Sequence, residues 1–194
     1  MKTSFTKYAL ALAALGASGT AMAHTGHPVD GALSGFVHPF SGADHLVAML
    51  MVGLWAGLSA GRRAWLPIVS FMAFMMVGGL LGVLGIALPN IEAGIAASLL
   101  VMGLLLATLA RLPAGAGIFV VGLFAVFHGH AHGAEMPAAA APALYALGFL
   151  LATASLHLTG LGLSRLAQRF HSEWLLRGAG IASGGLGAWL LLGM

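Results

Sequence analysis

Cysteine is absent from this chain of 194 residues, and only 7% of the residues are charged. Without cysteine, the protein has no disulfide framework, no thiolate metal site and no thiol chemistry. A soluble domain carries about 25% charged residues, whereas this chain is 60% hydrophobic and has a mean hydropathy of +0.99. The composition excludes a soluble enzyme, a nucleic-acid binder and a disordered segment, and it predicts an integral membrane protein.

The amino-terminal segment has the layout of a secretory signal peptide. Lys2 and Lys7 form a basic start, an apolar stretch follows, and residues 21–23 offer a small-x-small cleavage site. The apolar stretch is shorter than the roughly 20 residues that cross a bilayer, although an uncleaved anchor is the alternative. We expect residues 1–23 to be the signal peptide and residues 24–194 to form a single six-helix transmembrane domain.

The rest of the chain contains six apolar stretches that are long enough to span a bilayer, which predicts an all-α, polytopic membrane protein. Turn-forming or charged residues separate these stretches. They cover residues 33–58, 65–88, 91–112, 115–132, 143–163 and 175–193. Three spans in each half permit an inverted repeat, but the two halves show no sequence match.

The arginines of the mature chain all fall on one side of this arrangement. A cleaved signal peptide places residue 24 outside, and cytoplasmic loops carry an excess of arginine and lysine. On this basis the cytoplasmic residues are Arg62, Arg63, Arg111, Arg165, Arg169 and Arg177. We therefore expect a multi-pass protein of the bacterial inner membrane with both mature termini in the periplasm.

The first predicted span carries an unusual polar segment at residues 38–45. Polar and charged side chains inside a membrane are costly, so they indicate function. His38 and His45 are seven residues apart, which is close to two helical turns and places both rings on one helix face. Asp44 points about 100° away. It either ligates a metal itself or orients a histidine of another helix.

A second polar segment ends the fourth predicted span. His128 and His132 are four residues apart and Glu135 follows three residues later, so all three share one face if the helix persists. His130 then points to the opposite side. Glycines in this segment also permit an unwound loop of ligands. In the fifth span, His157 stands alone among apolar residues.

Counting 1.5 Å per residue places these side chains in two tiers. The outer tier lies at the periplasmic mouth or about 8–10 Å below it and contains His38, His128, His132 and Glu135. The inner tier lies about 17–21 Å deep and contains Asp44, His45 and His157. Successive sites of imidazole and carboxylate suit a divalent cation that sheds water and moves between them.

The donor types narrow the ion but leave alternatives open. Imidazole suits nickel, zinc, copper and cobalt, carboxylate adds a hard ligand, and the absence of thiolate argues against a route for Cu(I). A proton relay through the first polar segment is one alternative, and a hydrogen bond from His157 across helices is another. The remaining histidines carry less weight, and they are His24, His27, His130 and His171.

The two polar segments resemble the signatures of the HupE/UreJ family of nickel permeases. They read His-Pro-x-x-Gly-x-Asp-His at residues 38–45 and Phe-His-Gly-x-Ala-His-Gly-x-Glu at residues 127–135. The signal peptide and six spans are also similar to that family. The resemblance implies a permease domain over residues 24–194 that takes up Ni²⁺ for hydrogenase or urease maturation, with Co²⁺ as the alternative cargo. It implies functional roles for His38, Asp44, His45, His128, His132 and Glu135.

We therefore expect a transporter and not an enzyme, with a divalent metal ion and the lipid bilayer as partners and no nucleic acid. We expect no prosthetic group, because Ni²⁺ or Co²⁺ is the cargo. The chain contains no Walker A sequence, which favours facilitated diffusion or secondary transport, with proton coupling left open. The alternatives of another class are an intramembrane metal-dependent hydrolase and a metal sensor. The oligomeric state stays open, with a homo-oligomer as one alternative.

Overall fold

The computed structural model describes residues 31–59, 61–137 and 141–194, and this part of the chain is all-α, as predicted. The predicted signal peptide, His24 and His27 lie outside the described residues. The α-helices are α1 (Gly31–Val37), α2 (Ala43–Ala56), α3 (Trp65–Val83), α4 (Ile91–Ala107), α5 (Ala114–Ala134), α6 (Pro142–Arg169) and α7 (Glu173–Leu192). Two short 3-10 helices precede α2 and α3, at His38–Phe40 and Gly61–Ala64.

Four of these helices, namely α3, α5, α6 and α7, are long and apolar enough to cross a membrane. Helices α2 and α4 are also apolar, but they have only 14 and 17 residues. The prediction of six crossings therefore stays a prediction.

Apolar side chains cover the outside of the bundle as well as filling its core, which differs from a soluble protein. Large apolar side chains face outward, and Phe119, Ile181 and Trp189 are each more than two-thirds exposed. Histidine, serine and threonine side chains are buried between the helices, among them His128 and His157. This distribution fits a lipid environment, in which polar side chains find their partners inside the protein.

The first predicted span, residues 33–58, is not one continuous helix. Helix α1 ends at Val37, and Pro39, which has no backbone N–H to donate, occupies the first turn of the 3-10 helix that follows. Gly42 is extended (φ −108°, ψ 122°), and α2 begins at the next residue. His38 and His45 therefore belong to different helices, and the prediction that they share one helix face is wrong. Tertiary contacts bring them together instead.

The other helix ends differ from the predicted limits for local reasons. Helices α3 and α4 each end five residues early, and Gly85 (φ 70°) and Leu109 (φ 55°) then turn the chain in the left-handed region. Helix α6 continues to Arg169, six residues past its predicted end. Its last turns contain arginine, leucine, alanine and glutamine, which favour helix although the segment is no longer apolar.

The helices associate in three main pairs: α1 and α2 with α6, α3 with α5, and α4 with α7. The backbones approach closely where glycine stands at the crossing. A Cβ added at Gly53 would collide with the His157 carbonyl of α6, and one added at Gly129 would collide with the Met75 carbonyl of α3. These crossings place the beginning of α2 beside the end of α5.

We call the end of the bundle where α2 begins and α5 ends the histidine end, because it carries His38 and Glu135. We call the opposite end, where α2 ends and α5 begins, the arginine end, because it carries Arg63 and Arg111. At the arginine end the Trp55 indole donates to the carbonyl of the loop that follows α4.

Candidate metal-binding site

Four histidine rings form a continuous chain of contacts at the histidine end. The ring centroids are 4.8 Å apart for His38 and His132, 4.2 Å for His132 and His45, and 5.0 Å for His45 and His128. We call His38, His45, His128 and His132 the histidine cluster. Because His45 contacts two rings assigned to the outer tier, the predicted separation into two tiers is wrong for these four side chains.

The cluster opens to the outside beside Glu135, which caps the carboxyl end of α5. The Glu135 Oε2 atom lies 3.2 Å from His38 Nε2, and the side chains of Glu135 and His38 are 60% and 22% exposed. His132, one step further in, is buried. Ligand atoms of His38, His132 and Glu135 all lie within 4.8 Å of one another. This spacing allows the three side chains to converge on one metal ion after small adjustments.

Asp44 pairs with its own neighbour and not with a histidine of another helix. The Nδ1–H group of His45 donates to Asp44 Oδ1 at 3.0 Å, and the Nε2 atom of His45 is buried with no hydrogen-bond partner within residues 31–59, 61–137 and 141–194. A carboxylate on one ring nitrogen fixes the tautomer and makes the other nitrogen a better metal ligand. A Cβ on Gly42 would lie 2.9 Å from Asp44 Oδ1, so a larger residue at position 42 would displace the Asp44 carboxylate from its present position.

Ser98 on α4 sets the tautomer of His128. The Ser98 hydroxyl lies 2.6 Å from the Ile95 carbonyl oxygen and 2.9 Å from His128 Nε2. The hydroxyl has one proton and the carbonyl can only accept, so Ser98 donates to Ile95 and accepts from His128 Nε2–H. The Nδ1 atom of His128 then carries a lone pair, and it is buried without a partner. A serine among the apolar residues of α4 gave no sequence signal for this role.

Unpartnered ring nitrogens are the chemical signature of the cluster. In addition to His45 Nε2 and His128 Nδ1, both ring nitrogens of His132 are buried and have no hydrogen-bond partner among the described residues. A buried polar atom without a partner costs about 1–3 kcal/mol. A neutral imidazole nitrogen is also the commonest metal ligand in proteins. The cluster can therefore hold a divalent cation that satisfies these atoms.

His157 lies outside the chain of ring contacts. Its Nδ1–H group donates to the Thr153 carbonyl of its own helix at 2.8 Å, and its Nε2 atom is buried without a hydrogen-bond partner in the part of the chain that the structure describes. The ring of Phe71 on α3 packs against His157 at 4.9 Å and against His128 at 5.9 Å. The alternative of a hydrogen bond across helices is not found in the described residues, and the metal role of His157 stays a prediction. The contacts of Phe71 left no signal in the sequence, because Phe71 is one of ten phenylalanines in the chain.

The other described histidines lie away from the cluster. His130 points to the opposite side of α5, as predicted, and its Nε2–H group donates to the Ile86 carbonyl at 2.7 Å. His171 is exposed in the loop between α6 and α7.

Aromatic side chains of α6 form an apolar wall beside the cluster. The Phe149 ring lies 4.4 Å from the His132 ring, and the Tyr145 ring lies 5.8 Å from the His38 ring. A mostly apolar cavity of about 200 Å³ adjoins His132 between α3, α5 and α6. Apolar surroundings lower the local dielectric constant, so the charge of the partly buried Asp44 acts more strongly on a cation here than the charge of the exposed Glu135.

Comparisons with known proteins identify a matching family and a relative that covers nearly the whole chain. The family model described as "HupE / UreJ protein" matches residues 12–190. Protein HupE of Rhizobium leguminosarum bv. viciae is 42% identical over 189 residues, which cover 97% of this chain and 99% of that protein. No solved structure matches the chain. Neither the family match nor the relative supports the alternative of an intramembrane hydrolase.

Proposed function

The chain belongs to the HupE/UreJ family, and we propose that it is a permease that takes up Ni²⁺ across the bacterial inner membrane. The nickel would supply hydrogenase or urease maturation. The observation that carries the proposal is the histidine cluster with Glu135 at its mouth. Imidazole with carboxylate and without thiolate suits Ni²⁺, and Co²⁺ is the alternative cargo because it accepts the same donors.

The membrane topology we propose has six crossings, with α1 and α2 together forming the first. Helix α4, with 17 residues, is about 25 Å long and comes close to the roughly 30 Å of the hydrocarbon core. The arginine end faces the cytoplasm, in keeping with the excess of positive residues on that side. The histidine end then faces the periplasm and receives the ion.

Glu135 and His38 capture the hydrated ion at the mouth. The Glu135 carboxylate is exposed, so it attracts a cation from solution while the ion still keeps most of its water. His132 supplies the next donor, and His45 and His128 follow. Since each ring contacts the next, the ion can exchange one ligand at a time.

Asp44 acts on the ion through His45. By accepting the Nδ1 proton, its carboxylate leaves the Nε2 lone pair of His45 available as a ligand. Its negative charge also offsets part of the charge of the ion in an apolar environment. The chain has no Walker A sequence, so the driving force is the nickel gradient or a coupled ion gradient.

Flux into liposomes tests this proposal. Purified protein is reconstituted, and initial uptake rates of Ni²⁺, Co²⁺, Zn²⁺ and Mn²⁺ are measured with and without a pH gradient. We expect saturable Ni²⁺ uptake that falls about a hundredfold in each of the variants His38→Ala, His45→Ala and His132→Ala, because each loses a ligand.

His130→Ala is the matched control, because His130 is a buried histidine of α5 that faces away from the cluster. We expect its Ni²⁺ uptake to stay within about twofold of the parent rate. Unchanged uptake in all three cluster variants would contradict the proposed function. A preference for Co²⁺ over Ni²⁺ would identify the alternative cargo.

A further inference from the structure

The arginine end contains a cleft of about 530 Å³, to which the proposed function assigns no role. It lies where α2 ends and where α3 and α5 begin. We call it the arginine-end cleft, and it is lined by Trp55, Ser59, Arg63, Pro67, Arg111 and Ala114, among others. Among the described residues, no histidine or carboxylate lines it.

The helix pairing is the one that an inverted repeat would produce. We count α1 with α2 as the first span and α3, α4, α5, α6 and α7 as the second to sixth. The main pairs are then first with fifth, second with fourth and third with sixth. Exchanging the first three spans with the last three leaves this set of pairs unchanged. Each span runs in the direction opposite to its counterpart, as in many transporters.

The crossing of α2 with α6 has a defined register. An added Cβ on Gly53 would meet the His157 carbonyl, and one on Gly160 would meet the Leu50 carbonyl.

The crossing of α5 with α3 has the same register. An added Cβ on Gly129 would meet the Met75 carbonyl, and one on Gly78 would meet the Val126 carbonyl. A shift of 76 residues therefore maps the α2 positions onto the α5 positions, and a shift of 82 residues maps the α6 positions onto the α3 positions. Glycine is retained at both contact positions, whereas the residues whose carbonyls it meets differ between the two crossings.

The same shifts connect the two ends of the bundle. Three side chains around the mouth of the histidine end are Glu135, Tyr145 and Phe149. Their counterparts, in the same order, are Ser59, Arg63 and Pro67, and all three line the arginine-end cleft. The cleft is therefore the structural counterpart of the ion entrance.

A thin apolar layer separates the cleft from the histidine cluster. Trp55 is buried, and its indole Nε1–H donates to the Ala110 carbonyl at 2.8 Å. One helical turn before Trp55, Val52 packs beside a small cavity of about 10 Å³ that Val121 and His128 also line. The described side chains between the His128 ring and the cleft are mostly apolar and include Val52, Val121 and, on the cleft side, Trp55.

We propose that the arginine-end cleft is the second mouth of the ion pathway. In the conformation described, Trp55 blocks the route between the histidine cluster and this cleft. This inference rests on the proposed function. Movement of the indole away from Ala110 opens a route from the cluster to the cleft. There the ion meets the guanidinium groups of Arg63 and Arg111 and no ligand of opposite charge, so it is released and not retained.

Single cysteines test the cleft, because the chain has no cysteine of its own. Ser59→Cys places a thiol in the cleft, and Ser172→Cys is the matched control at the same end outside it. Both variants are reconstituted in liposomes and treated with a cationic methanethiosulfonate reagent. We expect complete labelling to lower Ni²⁺ flux about tenfold in Ser59→Cys and less than about twofold in Ser172→Cys. Unchanged flux through fully labelled Ser59→Cys would overturn the proposal.

A second measurement tests Trp55 without relying on transport. Val121→Cys is buried beside His128, one helical turn after Gly117, where an added Cβ would meet the Trp55 ring. Thr153→Cys lies buried at the interface of α2 and α6, where it reports whether the fold is intact. We expect Trp55→Ala to speed labelling of Val121→Cys about tenfold or more while Thr153→Cys stays unlabelled. Trp55→Phe, which keeps a ring but loses the hydrogen bond, should give a smaller increase.

The outcomes separate the two proposals. Equal labelling of Val121→Cys with and without Trp55 would overturn the closing role of Trp55. If the parent protein carries no Ni²⁺ at all, the proposed function fails, and the labelling rates still decide whether Trp55 closes the cleft.

Discussion

The two ends of the bundle share a helix arrangement but differ in chemistry. At the histidine end, His38 and Glu135 stand at the mouth, and unpartnered ring nitrogens follow inside. At the arginine end, the counterpart of Glu135 is Ser59, and Arg63 and Arg111 stand nearby. The helix crossings next to the mouth of the histidine end and next to the arginine-end cleft have the same register, so the two ends differ in their side chains. Under the proposed function, the histidine end captures the ion and the arginine end releases it.

The largest expected effect comes from removing the carboxylate at the histidine end. We expect Glu135→Gln to lower Ni²⁺ uptake at low ion concentration by about 10- to 100-fold, because the amide keeps the size but loses the charge and a strong ligand. Glu173→Gln makes the same change on an exposed residue at the arginine end and should keep uptake within about twofold. Initial uptake rates over a range of Ni²⁺ concentrations measure both. Equal losses would mean that the two ends do not differ in cation capture.

The correspondence of the two helix crossings predicts equal sensitivity to added volume. We expect Gly53→Ala and Gly129→Ala each to lower the free energy of unfolding by about 1–3 kcal/mol, because the new methyl group meets a backbone carbonyl that cannot easily move. Gly162→Ala is the control, since nothing lies within 4 Å of its added Cβ. Unfolding in detergent micelles, followed by circular dichroism, measures the change. Destabilisation by only one of the two changes would contradict the proposed equivalence of the two helix crossings.

The smallest expected effect concerns the arginines. We expect Arg111→Gln to raise Ni²⁺ entry from the arginine end about two- to fivefold, because one repelling charge is lost and the remaining exposed charges are screened. Arg169→Gln removes a charge from the same end outside the cleft and should change entry less. The measurement is Ni²⁺ flux from the arginine end at low ionic strength. A decrease in entry for Arg111→Gln would show that the cleft does not repel the ion.

Local periodicity was enough to predict part of the site. His128 and His132 share one face of α5 and His130 points away from it, because the helix continues through Ala134. Glu135 lies within reach of the cluster as its position one turn after His132 indicates. These predictions succeed because they depend only on helix geometry over a few residues.

The depth of each side chain was not predictable in the same way. Counting residues assumes a straight continuous helix, and the break at Gly42 removes that assumption for the first span. His45 was expected in an inner tier, yet its ring touches that of His132 at 4.2 Å. Ser98 and Phe71 were missed because their roles depend on what faces them from other helices.

The amino-acid sequence alone decided the environment and the kinds of ligand. Scarce charge and abundant apolar residues favour lipid around the helices, and under the proposed function histidine with carboxylate in place of cysteine favours Ni²⁺ or Co²⁺ over Cu(I). Only the tertiary structure decided which donors meet. His38 and Glu135 are 97 residues apart in the chain, and they touch because the helices that carry them are brought together by close crossings at glycine. Such long-range contacts depend on packing between helices, which the pattern within each helix does not specify.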